Sequence, residues 1–166
     1  MLSRSRPARL VNDAGSKKRI RRAARLIVLD PHGRVLLFRY VVPDRPPFWV
    51  TTGGECDPGE SFEDAARREL KEETGFVAEP GPQIVQMSPE FITVEGEPVR
   101  ADERFFRVRV DSSEIDTSGH TELERKLMQE HRWFTREELA DWPEYIYPPD
   151  LADFLDADPD SASVSG

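Results

Sequence analysis

Three glutamates, Glu69, Glu72 and Glu73, sit in the stretch GECDPGESFEDAARRELKEETGF, residues 54–76, at spacings that could do chemistry. At about 100° per residue, with Glu69 as zero, Glu72 lies near −60° and Glu73 near +40° on a helical wheel, so the three carboxylates share an arc of about 100°. Phe62, Ala65, Ala66 and Leu70 fall between about −40° and +100° on the same wheel, so the acids overlap the apolar face. Glu63, Asp64, Arg67, Arg68, Lys71 and Thr74 fill the opposite, solvated side. Glu69 is a like-charge neighbour of both Glu72 and Glu73, and anions beside buried carbon lose hydration. An Arg68 to Glu72 pair fits a plain surface helix but does not explain that crowding. Oxygen-only ligands at this density suit a hard divalent cation, Mg²⁺ or Mn²⁺, with water in the remaining positions. On helix geometry alone, a metal centre and a surface acidic cluster stand as two readings.

The helix that carries these residues is expected over about residues 62–74, with Ser61 as its cap, Asp64 as a short form of the capping box and Gly75 as a left-handed terminator. Upstream, RLIVLD and VLLFRYVV flank Pro31, His32 and Gly33, which predicts a hairpin at about residues 24–41. FWVTTGG reads as a short strand ending in paired glycines. Further strands are expected at IVQMS, EFITVE, RFFRVRV and EHRWF. Thr135 and Glu138 form a capping box before the helix TREELAD, and PPDLADFLDA reads as a terminal helix. The mixture is an α+β class, with an α/β/α sandwich as its arrangement.

A chain of 166 residues has the length of one domain. The expected division is a basic flexible arm over 1–22, a folded domain over 23–155 and a disordered tail over 156–166. Residues 1–25 carry nine Arg or Lys against one Asp; the chain total is −9, so the body is strongly acidic. That balance disfavours general nucleic-acid or anionic-membrane binding. No window approaches a membrane span. The single Cys56 excludes an internal disulfide, and the N-terminus has no apolar run of signal-peptide length, so a cytoplasmic location is expected.

Gly54, then five residues, Glu60, then seven, Arg68-Glu69-Leu70, one more, Glu72-Glu73, one more, Gly75-Phe76: this pattern resembles the signature of the Nudix hydrolases at every fixed position. At average residue frequencies a chance match is expected on the order of once in ten million sequences. The preceding hairpin, Phe48-Trp49 before the glycines and Arg132-Trp133-Phe134 before an EEL helix extend the resemblance to about residues 23–155. It implies the Nudix α/β/α sandwich with a mixed sheet, and Mg²⁺- or Mn²⁺-assisted cleavage of a nucleoside diphosphate linked to another group.

Carried over residue by residue, the resemblance implies that Glu72 and Glu73 are principal metal ligands and that Glu69 is a ligand or the base. The Gly53 carbonyl is a further ligand, and Arg68 orients Glu60. Family members often add a glutamate from a later loop; Glu114, Glu122, Glu124 and Glu130 are the candidates, and Glu130 is favoured because it precedes a strand. Cys56 holds a variable box position and is read as incidental. For substrate contact, Arg39, Arg45, Phe48, Trp49, Phe91 and Arg107 have suitable chemistry, with Trp49 and Phe91 expected in the core instead. Pro89 is offset from the proline associated with ADP-ribose pyrophosphatases, which counts against that subfamily. Dimers are common among relatives, so a homodimer is an expectation without a legible interface. A catalytically silent nucleotide-sensing or interaction module on the same fold is the alternative, against which the intact acidic set counts.

Overall fold

In the computed structural model, which describes residues 10–11 and 17–156, the apolar runs form strands whose side chains alternate between two buried faces. The elements in chain order are β1 (Leu10–Val11), β2 (Lys17–Leu29), β3 (Val35–Tyr40), β4 (Phe48–Glu55), α1 (Phe62–Thr74), β5 (Gln83–Met87), β6 (Glu90–Ile92), β7 (Pro98–Arg109), α2 (Glu122–Leu127), β8 (Glu130–Phe134), α3 (Arg136–Asp141), β9 (Tyr145–Tyr147) and α4 (Leu151–Leu155). Leu26 and Val28 of β2, Leu36 and Phe38 of β3, and Phe106 and Val108 of β7 point to one face, where Ala65, Ala66 and Leu70 of α1 pack on them. Ile27, Leu29, Val35, Leu37 and Phe105 point to the other, beneath Phe134 and the α4 residues Leu151 and Leu155. A sheet buried on both sides needs apolar residues at consecutive positions, which accounts for the unbroken runs RLIVL and VLLF.

The sheet runs β5-β7-β2-β3-β4-β9, with β8 paired to β3, and β2 also pairs β4. It is mixed: β2 with β7 and β4 with β9 are parallel, and the other pairs are antiparallel. The expected α/β/α sandwich with a mixed sheet is therefore present. Among the described residues no helix is long and apolar enough to cross a membrane.

Three local expectations differ from the structure. Residues 17–22 belong to β2, not to an arm ending at 22: their register against β7 runs from Arg19 opposite Val99 onward, so the ladder holds a segment whose composition reads as polar. The rest of the arm, except residues 10–11, and residues 157–166 of the tail lie outside the described residues. The hairpin at 24–41 exists, but β2 meets β3 only at Leu29 opposite Val35, because β4 takes the place beside residues 23–26. The Ser61 cap is made, Oγ accepting from Asp64 N at 3.0 Å, while the Asp64 carboxylate turns to Arg67 instead of closing a capping box.

Candidate metal centre and cleft

The second half of α1 is buried, and it carries two of the three glutamates inward. Glu69 and Glu73 are 7% and 1% exposed, whereas the Glu72 side chain is 45% exposed. Two glycines of β4 let the helix come this close. Gly53 has φ of 138°, and a Cβ there would meet the Ala24 carbonyl at 2.1 Å. At Gly54 a Cβ would sit 2.8 Å from Glu69 Oε2. With both side chains absent, Gly53 N donates to Glu73 Oε1 at 3.3 Å. Among the described residues, Glu73 Oε2 is buried with no hydrogen-bond partner.

A third carboxylate comes from α2. Carboxylate oxygens of Glu69, Glu73 and Glu124 all lie within 4.8 Å of one another. Thr121 caps α2 in a complete capping box: its Oγ1 accepts from Glu124 N at 3.1 Å, and Glu124 Oε1 accepts from Thr121 N at 2.9 Å. The loop before it is docked on the end of α1. His120 Nε2 donates to the Glu73 carbonyl at 2.9 Å, and Asp116 N donates to the Thr74 carbonyl at 2.8 Å. Gly119 packs so tightly that a Cβ would lie 2.6 Å from the Glu72 carbonyl.

Arg68 binds the rim of this cluster. Its Nε and Nη2 each reach Glu60 at 2.9 Å, the partner expected from the sequence, and Nη1 reaches Glu69 Oε2 at 2.9 Å and Glu72 Oε1 at 3.3 Å. The electrostatics follow. The Arg68 hydrogen bonds hold Glu60 below the usual carboxylate range. Burial pushes Glu69 up, with Arg68 opposing it. Burial and the neighbouring Glu69 charge push Glu73 well above the usual range. Two carboxylates this close and this buried cannot both ionise without a cation between them. The donor set is all oxygen, anionic, and has an orphaned lone-pair site at Glu73 Oε2, which fits a hard divalent ion.

The structure brings Glu124, not Glu130, to the acidic pair. Glu130 lies on β8 opposite Arg39 with its side chain 57% exposed, and its nearest cation is Arg39 Nη1 at 3.7 Å. Glu114 and Glu122 are exposed on the surface. The sequence held a signal for Glu124 in the Thr121 to Glu124 spacing, a capping-box pattern that places it at the third position of a helix. The Gly53 carbonyl accepts from Arg25 Nη1 at 3.4 Å.

Arg25 also lines a cleft of about 750 Å³ that begins beside the cluster. Tyr40 shares this position, and burial together with the Glu73 charge raises its phenol. Phe48 stacks on Tyr40 at 5.5 Å, and the Arg45 guanidinium lies 5.4 Å from the Phe48 ring. Glu103, 1% exposed, accepts from Tyr147 Oη at 2.6 Å and from Arg25 Nε at 3.4 Å. Phe91 lines the cleft and is half-buried, a correction to its expected place in the core. Trp49 is in the core as expected, its Nε1 donating to Glu144 at 2.7 Å. Arg39 is occupied by the same Glu144 at 3.0 and 2.7 Å, and neither Arg39 nor Arg107 lines the cleft.

Among solved structures, the MutT protein of Methanosarcina mazei aligns with TM-score 0.63 at 21% identity, over 83% of this chain and 91% of that one. The mutator MutT protein of Bacillus halodurans aligns with TM-score 0.61 at 25% identity, over 83% and 84%. A Bacillus subtilis protein described as a putative 8-oxo-dGTP diphosphatase is 43% identical over 67 residues, 40% of this chain; the match spans 43% of that relative's length. A family model for the NUDIX domain matches residues 19–156, and with the box at 54–76 folded into the acidic cluster just described, the chain belongs to the Nudix family.

Proposed function

We propose that this protein is a divalent-metal-dependent pyrophosphohydrolase, working in the cytoplasm, that cleaves a nucleoside diphosphate linked to another group. The observation that carries this reading is the buried carboxylate trio with an unpartnered Glu73 Oε2 next to a cleft lined by arginines and aromatic rings. Glu69, Glu73 and Glu124 would hold Mg²⁺ or Mn²⁺, joined by the Gly53 carbonyl as the resemblance implies, with the exposed Glu72 beside them. Bound there, the ion neutralises phosphate oxygens that otherwise repel a nucleophile and polarises the phosphoryl group.

The chain's own groups do the rest. The bonds from Arg68 to Glu69 and Glu60 fix the carboxylate orientation before substrate arrives. Where Glu73 and Glu124 hold the ion, Glu69 beside them would accept the proton of the water that attacks phosphorus, the base role that the resemblance gives it as the alternative to ligand. The anhydride bond breaks and two phosphate-terminated products leave. Tyr40 and Phe48 offer a stacking surface for a base. The description of the B. subtilis relative as a putative 8-oxo-dGTP diphosphatase makes oxidised deoxynucleoside triphosphates one class to test.

The experiment is a ³¹P NMR panel of ADP-ribose, NADH, dinucleoside polyphosphates, nucleotide sugars and oxidised dNTPs with Mg²⁺ or Mn²⁺. Cleavage of at least one, abolished by EDTA and by Glu73→Gln, is expected. Tight binding of a nucleotide with no anhydride cleavage under either metal would instead establish a sensing module.

A further inference from the structure

Four arginines line the cleft, and they are not equally neutralised. Arg25 is matched by the buried Glu103. Arg19 holds Glu55 at 2.5 Å and Glu97 through two bonds of 2.9 and 3.0 Å. Arg21 has only a share of Glu55, Nε to Oε1 at 3.4 Å, and its Nη1 has no hydrogen-bond partner. Its side chain is 18% exposed, with the guanidinium 5.9 Å from the Phe91 ring. Arg45 rests on Phe48 and, among the described residues, has no carboxylate within 4.0 Å. The lining carboxylates are mostly spoken for: Glu90 by Lys18 and Arg100, Glu144 by Arg39, and among the described residues only the exposed Glu95 stands on the rim without a cation. In a chain of net charge −9, this cleft keeps two cations in reserve. Arg21 lies four residues from Arg25 along β2 on the same face, roughly 13 Å away. That spacing is between backbone positions; the Arg21 guanidinium itself lies beside Glu55 and the Phe91 ring.

We infer that the cleft selects nucleotide substrates carrying an acidic group in addition to the diphosphate that is cut, and that Arg21 is the residue that reads it. The inference rests on the hydrolase reading for the word substrate, but the binding preference stands apart from turnover. The required chemistry is an anion, either a carboxylate or a phosphate, able to displace the 3.4 Å contact with Glu55 and reach the guanidinium whose buried Nη1 is unpartnered among the described residues.

The test measures Kd by calorimetry in EDTA, where nothing is cleaved, for two pairs of probes that differ by one acidic group: UDP-glucose with UDP-glucuronate, and NADH with NADPH. The wild-type protein is expected to favour the acidic member of at least one pair by about tenfold, the worth of one charge-assisted hydrogen bond. A preference within the first pair identifies a carboxylate and within the second a phosphate. Arg21→Met should bring that ratio to about one, and Arg21→Lys should keep part of it. A wild-type ratio near one in both pairs, or a ratio that survives in Arg21→Met, overturns the inference. Should Arg21→Met fail to fold, salt decides on the wild type: the ratio must fall between 50 and 500 mM NaCl, and a salt-independent ratio overturns it equally. Cleavage followed in parallel by ³¹P NMR with Mg²⁺ separates the two ideas. A charge preference without cleavage removes the hydrolase reading alone, and cleavage without a charge preference removes this one alone.

Discussion

Glu73→Gln should make the metal-free protein more stable at neutral pH, which is the reverse of what a buried substitution usually does. Glu73 is 1% exposed, sits against the Glu69 carboxylate, and leaves Oε2 without a partner. A glutamine keeps the oxygen that accepts from Gly53 N and adds an amide that donates to Glu69. Without metal, wild type must take up a proton at Glu73 on folding, whereas the amide needs none, and a hydrogen bond to a charged group is itself worth about 2 kcal/mol. For a domain of this size that corresponds to a rise in Tm of about 4–8 °C.

The pH dependence has a definite sign. Burial, with Glu69 beside it, raises Glu73 in the folded state, so between the ordinary carboxylate value and the raised one the folded chain binds more protons than the unfolded chain. Stability from this group then falls as pH rises through that window. The advantage of Glu73→Gln over wild type in EDTA should therefore shrink as pH is lowered from 7.5 toward 5. Taking the difference cancels His131, which burial lowers and which contributes the opposite slope in both proteins. Magnesium at a hundred times its Kd should add about 2.7 kcal/mol to wild type. It should add little to the variant, so the order of the two melting temperatures reverses. Differential scanning calorimetry in EDTA and in excess Mg²⁺ reads all of this. A variant that melts below wild type in EDTA at pH 7.5, or a difference that does not change with pH, would refute the reasoning.

Other outcomes follow from the same geometry. Glu124→Gln should lower kcat by about a hundredfold or more, as expected for a metal-site carboxylate, whereas Glu130→Gln should stay within about twofold of wild type; anhydride cleavage rates measure both. Gly54→Ala places a methyl 2.8 Å from Glu69 Oε2, the movable end of a side chain, so the fold should survive while Mg²⁺ affinity by calorimetry drops about tenfold. Thr121→Ala removes the cap that fixes Glu124 and should cost about 1 kcal/mol of stability, with a loss of Mg²⁺ affinity that a purely local helix defect would not produce.

The acidic helix was legible in the sequence because its chemistry contradicts its own periodicity: three carboxylates overlap an apolar arc. The bounds of α1, its Ser61 cap and Gly75 terminator follow from local patterns, and the structure has them. The two-faced core was legible for a related reason, in the consecutive apolar residues of β2 and β3. What escaped is long-range. The start of β2 at Lys17 depends on its parallel pairing with β7, about eighty residues later in the chain, and nothing in KKRIRR announces a ladder. The three-residue β9 is too short for any period to show, yet it brings Tyr147 to Glu103. Its place before a strand favours Glu130 in the sequence, but the docking of Gly119 and His120 on α1 brings Glu124 to the acidic pair.

Like charges normally relieve their repulsion by swinging apart, so a cluster persists only where each escape is closed. Glu69 is bounded by the glycine backbone on one side and tied to Arg68 on the other. Glu73 is sealed between α1 and β4, with Gly53 N on one oxygen. Glu124 is held by the Thr121 backbone through its own helix cap. Three separate elements thus keep three carboxylates within 4.8 Å, and the cost is carried by the metal-free fold. A cation entering such a site finds three carboxylates already gathered, so part of the cost of bringing them together is met before it binds. The same confinement favours a small, hard ion over a large one, because the carboxylates cannot spread to admit seven or eight oxygens. Calcium should accordingly bind more weakly than magnesium or manganese, and a calorimetric titration giving calcium the higher affinity would show that the carboxylates move.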